Sequence, residues 1–163
     1  GPLYLQKRGV PIEPTDTMAS LYFDKLYPMG VDGMVEVVDA IAAGTAQLTT
    51  QVEEGASHQG LVDEETARID LSWGLDRVDG RIRGCDPSPG AWLLHDGSPL
   101  RLFGCSIESR SETEAAPGTI LAVEETGLLL AVRGGSLRIQ KVRGDGKKVV
   151  ASESGLSAGN ILG

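Results

Sequence analysis

Five cations crowd one short stretch near the end of the chain. Arg138, Lys141, Arg143, Lys147 and Lys148 lie within eleven residues, against the single carboxylate of Asp145. Arg offers a planar fork of donors and Lys a compact charge, and both suit phosphate or carboxylate groups. Asp145-Gly146 is a hairpin turn pair. The two-residue repeat of a strand would put some of these cations on one face, able to receive a phosphate or a polyglutamate tail. The same composition also describes a solvated edge hairpin, where Lys discourages aggregation.

The remaining chemical inventory is thin. His58 stands in the loop Gly55-Ala56-Ser57-His58-Gln59-Gly60, with no carboxylate or nucleophile placed by sequence to orient it as a base. His95 precedes Asp96-Gly97 and reads as a turn-flanking residue. Asp63, Glu64 and Glu65 are adjacent in sequence, whereas a metal site needs carboxylates converging from different faces, so a solvated run is expected and no metal ligands are assigned. Asp86-Pro87-Ser88-Pro89-Gly90 is rigid turn chemistry. Cys85 and Cys105 are too few for a disulfide framework and read as reduced thiols. Neither a phosphate-cradling glycine loop, a nucleophile elbow nor a triad pattern is present.

The elements that must carry these residues fall into two parts. The chain has 163 residues, 40% hydrophobic and 23% charged, which is globular; aromatics are only 4%, so Leu, Val, Ile and Ala build the core. Leu3 to Ile12 reads as a strand ended by Pro11 and Pro14. Thr15-Asp16-Thr17 offers helix caps, and Leu21, Tyr22, Lys25 and Leu26 follow at helical spacing. Pro28 and Gly30 are expected to interrupt the helix, with a second helix from about Val31 to Gly44. One strand and two helices cannot bury their apolar faces alone, so residues 1–45 read as the tail of a larger α/β domain. Residues 46–60 are a polar linker. From residue 61, Thr66 to Trp73 reads as a strand and Gly74 to Gly84 as a short helix with Val78 and Ile82 inward. Short strands then recur at Ala91–Leu94, Leu100–Ile107, Gly118–Val123, Leu128–Val132 and Leu137–Val142, a pattern of a small closed or half-closed barrel.

The formal charge is -8, which opposes general nucleic-acid binding. It is unevenly spread: residues 51–117 hold six Lys or Arg against thirteen Asp or Glu, and residues 118–163 hold six against four. No apolar run approaches the length of a membrane span and no signal peptide is visible, so a cytoplasmic protein without membrane contact is expected.

Several stretches together resemble the formyltransferase family. They are Gly1-Pro2-Leu3-Tyr4-Leu5-Gln6, Thr15-Asp16-Thr17 with Leu21-Tyr22, Tyr27-Pro28-Met29-Gly30, Gln51 to Ser57, and Glu65 to Asp70. Ile82-Arg83-Gly84-Cys85-Asp86 with Pro89-Gly90-Ala91-Trp92 is the most specific block, and Pro117-Gly118-Thr119-Ile120 and Asp145-Gly146-Lys147-Lys148 complete the series. Their order and spacing span nearly the whole chain and are most similar to the hydrolase domain of 10-formyltetrahydrofolate dehydrogenase, then to methionyl-tRNA formyltransferase. The resemblance implies an α/β tail, a strand plus helices from a Rossmann-like formyl-transfer domain, followed by an all-β OB-like barrel with one short helix. It also implies that Gly1-Pro2 is native sequence. The family's catalytic Asn, His and Asp precede the match to Gly1, so no catalytic residue is assigned here, and Gly1, Pro2 and Leu3 are implied as part of a folate-pocket wall. A parent enzyme would use 10-formyltetrahydrofolate, bound through its upstream domain, and activate water or an amine against the formyl carbonyl. The chain alone is expected to be inactive and to bind no cofactor. The charge argues against tRNA as a partner; residues 1–45 could instead pair with a second copy, and a non-catalytic protein-interaction barrel is the third possibility.

Overall fold

The computed structural model describes residues 1–163. The chain divides into two compact units, Gly1–Leu61 and Val62–Gly163.

In Gly1–Leu61 the helix begins where its capping residues predict. Thr17 accepts from the Ser20 amide and Ser20 Oγ accepts from the Thr17 amide, a reciprocal capping box. Asp16 closes the corner: its carboxylate accepts from Lys25 and from the Glu13 amide, which holds its pKa below the usual range. The helix then runs without a break through α1 (Met18–Ser20), a π-helical stretch (Leu21–Leu26) and α2 (Tyr27–Ala42). The expected interruption at Pro28-Gly30 does not occur. Tyr27 donates to the Tyr22 carbonyl, five residues back, so the ladder has already changed register when it reaches Pro28 in the first turn of α2. A first-turn proline forfeits no intrahelical donor of that new segment.

The expected strand Leu3–Ile12 is also corrected. It is reduced to one antiparallel bridge, Leu3 with Thr49, with both hydrogen bonds at 2.8 Å. No second strand lies beside it in this unit, and Pro11 and Pro14 lack donors. Asp16 and Gly33 are the only buried residues of the unit, and no hydrophobic side chain is among them. Tyr27, Val31, Met34, Val38 and Ile41 recur at steps of four and three along α2 and are all exposed, Met34 by 65%.

Val62–Gly163 holds the hydrophobic core. The strand expected over Thr66–Trp73 is replaced by a short helix and a turn. Asp63 accepts from the Thr66 amide and caps α3 (Glu64–Ala67); Arg68 then makes a single parallel bridge to Trp92, and Asp70 turns the chain by accepting from the Ser72 amide. Helix α4 (Leu75–Gly84) buries Leu75, Val78, Asp79 and Ile82. The strands are β1 (Ala91–His95), β2 (Ser98–Ser109), β3 (Ile120–Glu124), β4 (Gly127–Val132), β5 (Gly135–Arg143) and β6 (Val149–Val150). They form one antiparallel sheet, ordered β1-β2-β5-β4-β3, with β6 paired to the end of β5. Val78 and Ile82 of α4 pack with Leu102, Leu130, Leu137 and Ile139 of the sheet, all fully buried.

The outer strands β1 and β3 do not pair with each other. The last residues of the chain occupy both edges instead. Gly159 and Asn160 exchange hydrogen bonds with Ile120, Leu162 donates to the Gly118 carbonyl, and Gly163 donates to the Leu94 carbonyl, all at 2.8 to 2.9 Å. Leu162 is fully buried. This covers edges that would otherwise offer unpaired backbone groups. Gly118 has φ +93°, and a Cβ there would fall on the Leu162 carbonyl oxygen, so only glycine fits the seam. No helix is long and apolar enough to cross a membrane.

Candidate functional site

The cations of the 138–148 run are not one group. Arg138 donates to Glu108 and Glu124, both at 2.8 Å, and to the Thr126 hydroxyl. These carboxylates push its pKa up and satisfy its charge. Arg138 therefore leaves the expected patch; its partners lie on β2 and β3, which sequence distance from Arg138 does not reveal.

The other cations gather at the far end of β5. Strand register sets Arg143 directly across from Arg101, and Lys141 across from Phe103. Like charges placed opposite each other destabilise a sheet, and here each arginine is held by the turn beside it. Arg101 donates to the Gly90 carbonyl at 3.3 Å and Arg143 to the Pro89 carbonyl at 3.1 Å. Phe103 lies beneath them, 1% exposed, with the Lys148 ammonium 3.5 Å and the Arg143 guanidinium 5.4 Å from its ring centre. Gly90 has φ +88°, and a Cβ there would stand 2.6 Å from Phe103 Cζ, so glycine lets the turn lie on the ring. Asp86, at the start of the turn, accepts from the Gly104 amide at 2.9 Å. Burial lowers the Lys148 pKa, Asp86 acts against this, and the nearby Arg143 and Lys141 charges lower it further.

Arg101 is neutralised by a two-pronged pair with Glu64 at 2.8 and 2.9 Å. Lys141, Arg143, Lys147 and Lys148 form no ion pair with any carboxylate. Phe103, Arg101, Asp86 and the Pro89-Gly90 carbonyls were not legible as members of this face. The Pro-Gly turn signalled rigidity but not where it would lie.

Gly1, Pro2 and Leu3 belong to the other unit, Gly1–Leu61. Gln51 Nε2 donates to the Gly1 carbonyl, and Leu3 holds Thr49. Of the acidic run, Asp63 is a helix cap and Glu64 an arginine partner. His58 is exposed, and His95 lies 3.9 Å from the exposed Asp96 carboxylate. No group of three or more His, Cys, Asp or Glu side chains is placed to hold a metal ion. Cys85 and Cys105 are buried free thiols. The Cys105 thiol is pushed well above its usual pKa by burial and by the negative charge of neighbouring Asp79, itself 5% exposed and paired with Arg83 at 2.9 Å.

A concavity of about 440 Å³ lies in the same unit, lined by Arg68, Ile69, Leu71, Trp73, Arg81 and Leu93 among others. Arg77 and Arg81 stack over Trp73 at 4.1 and 5.1 Å, and Arg81 also donates to the Thr66 carbonyl. Of its two arginines, Arg81 thus ties α4 to α3, and Arg68 lies over the Trp92 ring.

A short helix packed on an antiparallel sheet, with a rigid Asp-Pro-Ser-Pro-Gly turn between them, defines the class. Residues 61–158 match the formyl transferase C-terminal domain, and the chain belongs to that family. Two relatives are similar along nearly its whole length. It is 35% identical over 161 residues to the mitochondrial 10-formyltetrahydrofolate dehydrogenase of Mus musculus, covering 94% of this chain and 17% of that protein. It is 32% identical over 159 residues to the methionyl-tRNA formyltransferase of Legionella pneumophila (strain Corby), covering 98% of this chain and 50% of that protein. The chain therefore spans half or less of the length of these relatives. Among solved structures, HypX from Aquifex aeolicus in complex with tetrahydrofolic acid shares the fold with a TM-score of 0.70 at 20% identity, over 88% of this chain and 25% of that one.

Proposed function

We propose that this chain is the C-terminal part of a formyltetrahydrofolate-dependent formyl hydrolase or formyltransferase and does not itself carry the reacting groups. In this reading residues 1–45 end the catalytic domain, residues 46–60 are the linker, and residues 61–163 are an accessory OB-like barrel whose seam is filled by the chain's last residues. The observation that carries it is the burial pattern of the first unit. A helix with a continuous apolar stripe, beside a strand reduced to one bridge, buries no hydrophobic side chain of its own. Such surface stabilises a fold only when covered, at roughly 25 cal/mol per Å² removed from water. The sheet of an upstream formyl-transfer domain is the cover that the relatives' greater length and their activities suggest.

Gly1, Pro2 and Leu3 would then lead the backbone out of that domain beside its folate pocket, and 10-formyltetrahydrofolate would bind the parent through the upstream part. The formal charge of -8 favours water or a small amine over tRNA as acceptor. A cytoplasmic setting accords with this chemistry and with two unpaired thiols.

Amide exchange of residues 18–42 tests the proposal. In the isolated chain these amides exchange fast while those of β2 and β5 are protected; in a longer protein carrying the upstream region they become protected. Formate release from 10-formyltetrahydrofolate appears only in the longer protein. Protection of α2 in a monomeric isolated chain, or turnover by that chain, would refute it. Protection that rises with concentration of the isolated chain would point instead to pairing with a second copy.

A further inference from the structure

We propose that Arg143 and Lys148, over the Phe103 ring, together with Lys141 opposite Phe103 in the strand pair, bind a phosphate group of a small molecule. This face belongs to Val62–Gly163 alone and does not depend on the formyl-transfer reading.

This face carries an imbalance of charge. The protein is acidic overall, yet Lys141, Arg143 and Lys148 meet here without carboxylate partners, although Glu64 pairs with Arg101 beside them and Asp and Glu meet Arg110 and Arg138 elsewhere in the same unit. Asp86, whose charge acts on Lys148, has one carboxylate oxygen committed to the Gly104 amide. Mutual repulsion costs free energy unless an anion offsets it. The cluster is also built. Phe103 fixes the position of Lys148, and the Pro89 carbonyl takes one terminal nitrogen of Arg143, leaving the rest of its fork free. Lys141 is exposed beside them, on the residue opposite Phe103. A guanidinium and two ammonium groups approaching from separate positions suit a tetrahedral oxyanion, which accepts from several directions, better than a planar carboxylate. The footprint of three cations on an acidic protein fits a compact anion and disfavours a long polyanion.

The test is titration of the isotope-labelled full chain with pyrophosphate, compensated with chloride to constant ionic strength, followed by amide shifts. The expected result is saturable movement of the Phe103, Gly104, Arg143 and Val149 amides. Lys148→Met keeps the aliphatic stem on the ring and removes the charge; it lowers affinity about tenfold, the loss expected for one charge-assisted hydrogen bond. The exposed Lys141→Gln does the same without touching the packed ring, and the double variant abolishes saturation. Absence of saturation in the wild type overturns the proposal, as does a response that survives in a folded double variant. Saturation by a short RNA but not by pyrophosphate also overturns it, in favour of a nucleic-acid face.

Discussion

The clearest pH signature at the scale of a single residue belongs to Cys105. Its thiol sits within the sheet beside Asp79, and burial foremost raises its pKa well above the ordinary value of 9.0. A group whose folded pKa is raised binds its proton more tightly in the native state. Its contribution is complete below pH 9 and is lost as the medium climbs through the unfolded value toward the folded one. Unfolding free energy measured in urea from pH 8 to 10.5 should therefore fall more steeply for the wild type than for Cys105→Ala. Equal slopes would contradict the assignment. Such an effect was invisible in the sequence, where Cys105 and Asp79 are separated by a helix end, a turn and a strand. Arg138 shows the same limit, since its neighbours in sequence advertise a shared anion face while Glu108 and Glu124 neutralise it across the sheet. Residue type was readable from the start, and pairing was settled only by register.

Elements were legible where local chemistry and tertiary need agree. Val78 and Ile82 marked the inner side of α4, and the turn pairs Asp96-Gly97 and Gly134-Gly135 bounded strands correctly. The reading failed where one local signal was overridden. Alternation over Thr66–Trp73 suggested a strand, but the Asp63 cap wound the first two of these residues, Thr66 and Ala67, into α3. Pro28 suggested a break, but the π-helical stretch ahead of it moved the ladder by one residue. The role of the last five residues had no sequence signal, because they form single bridges and not a strand. Their contribution is testable. Leu162 is fully buried, so Leu162→Ala should destabilise Val62–Gly163 by about 2 to 5 kcal/mol, the range for deleting a buried leucine side chain, measured by urea unfolding. A cost below about 1 kcal/mol would mean that the seam holds without it.

The two parts of the whole molecule differ in how they are stabilised. Every buried hydrophobic residue lies beyond residue 66, in Val62–Gly163, whereas Gly1–Leu61 relies on a capped helix, the Asp16–Lys25 pair and two backbone bonds between Leu3 and Thr49. Isolated helices without a packed face are marginal in water. Limited proteolysis of the chain should therefore cut within residues 1–61 first and leave a resistant fragment starting near Val62. That fragment should melt within about 2 °C of the full chain, because an exposed unit adds little stabilising burial. Resistance of the helical segment equal to that of the sheet would show that it is packed after all.

The seam between β1 and β3 has a mechanical corollary. Because Gly159 to Gly163 grip both outer strands through single bonds in sequence, force applied to whatever extends from Gly163 would load those bonds one after another. Tension from that end would unzip the sheet at its margin before any strand slid past its neighbour.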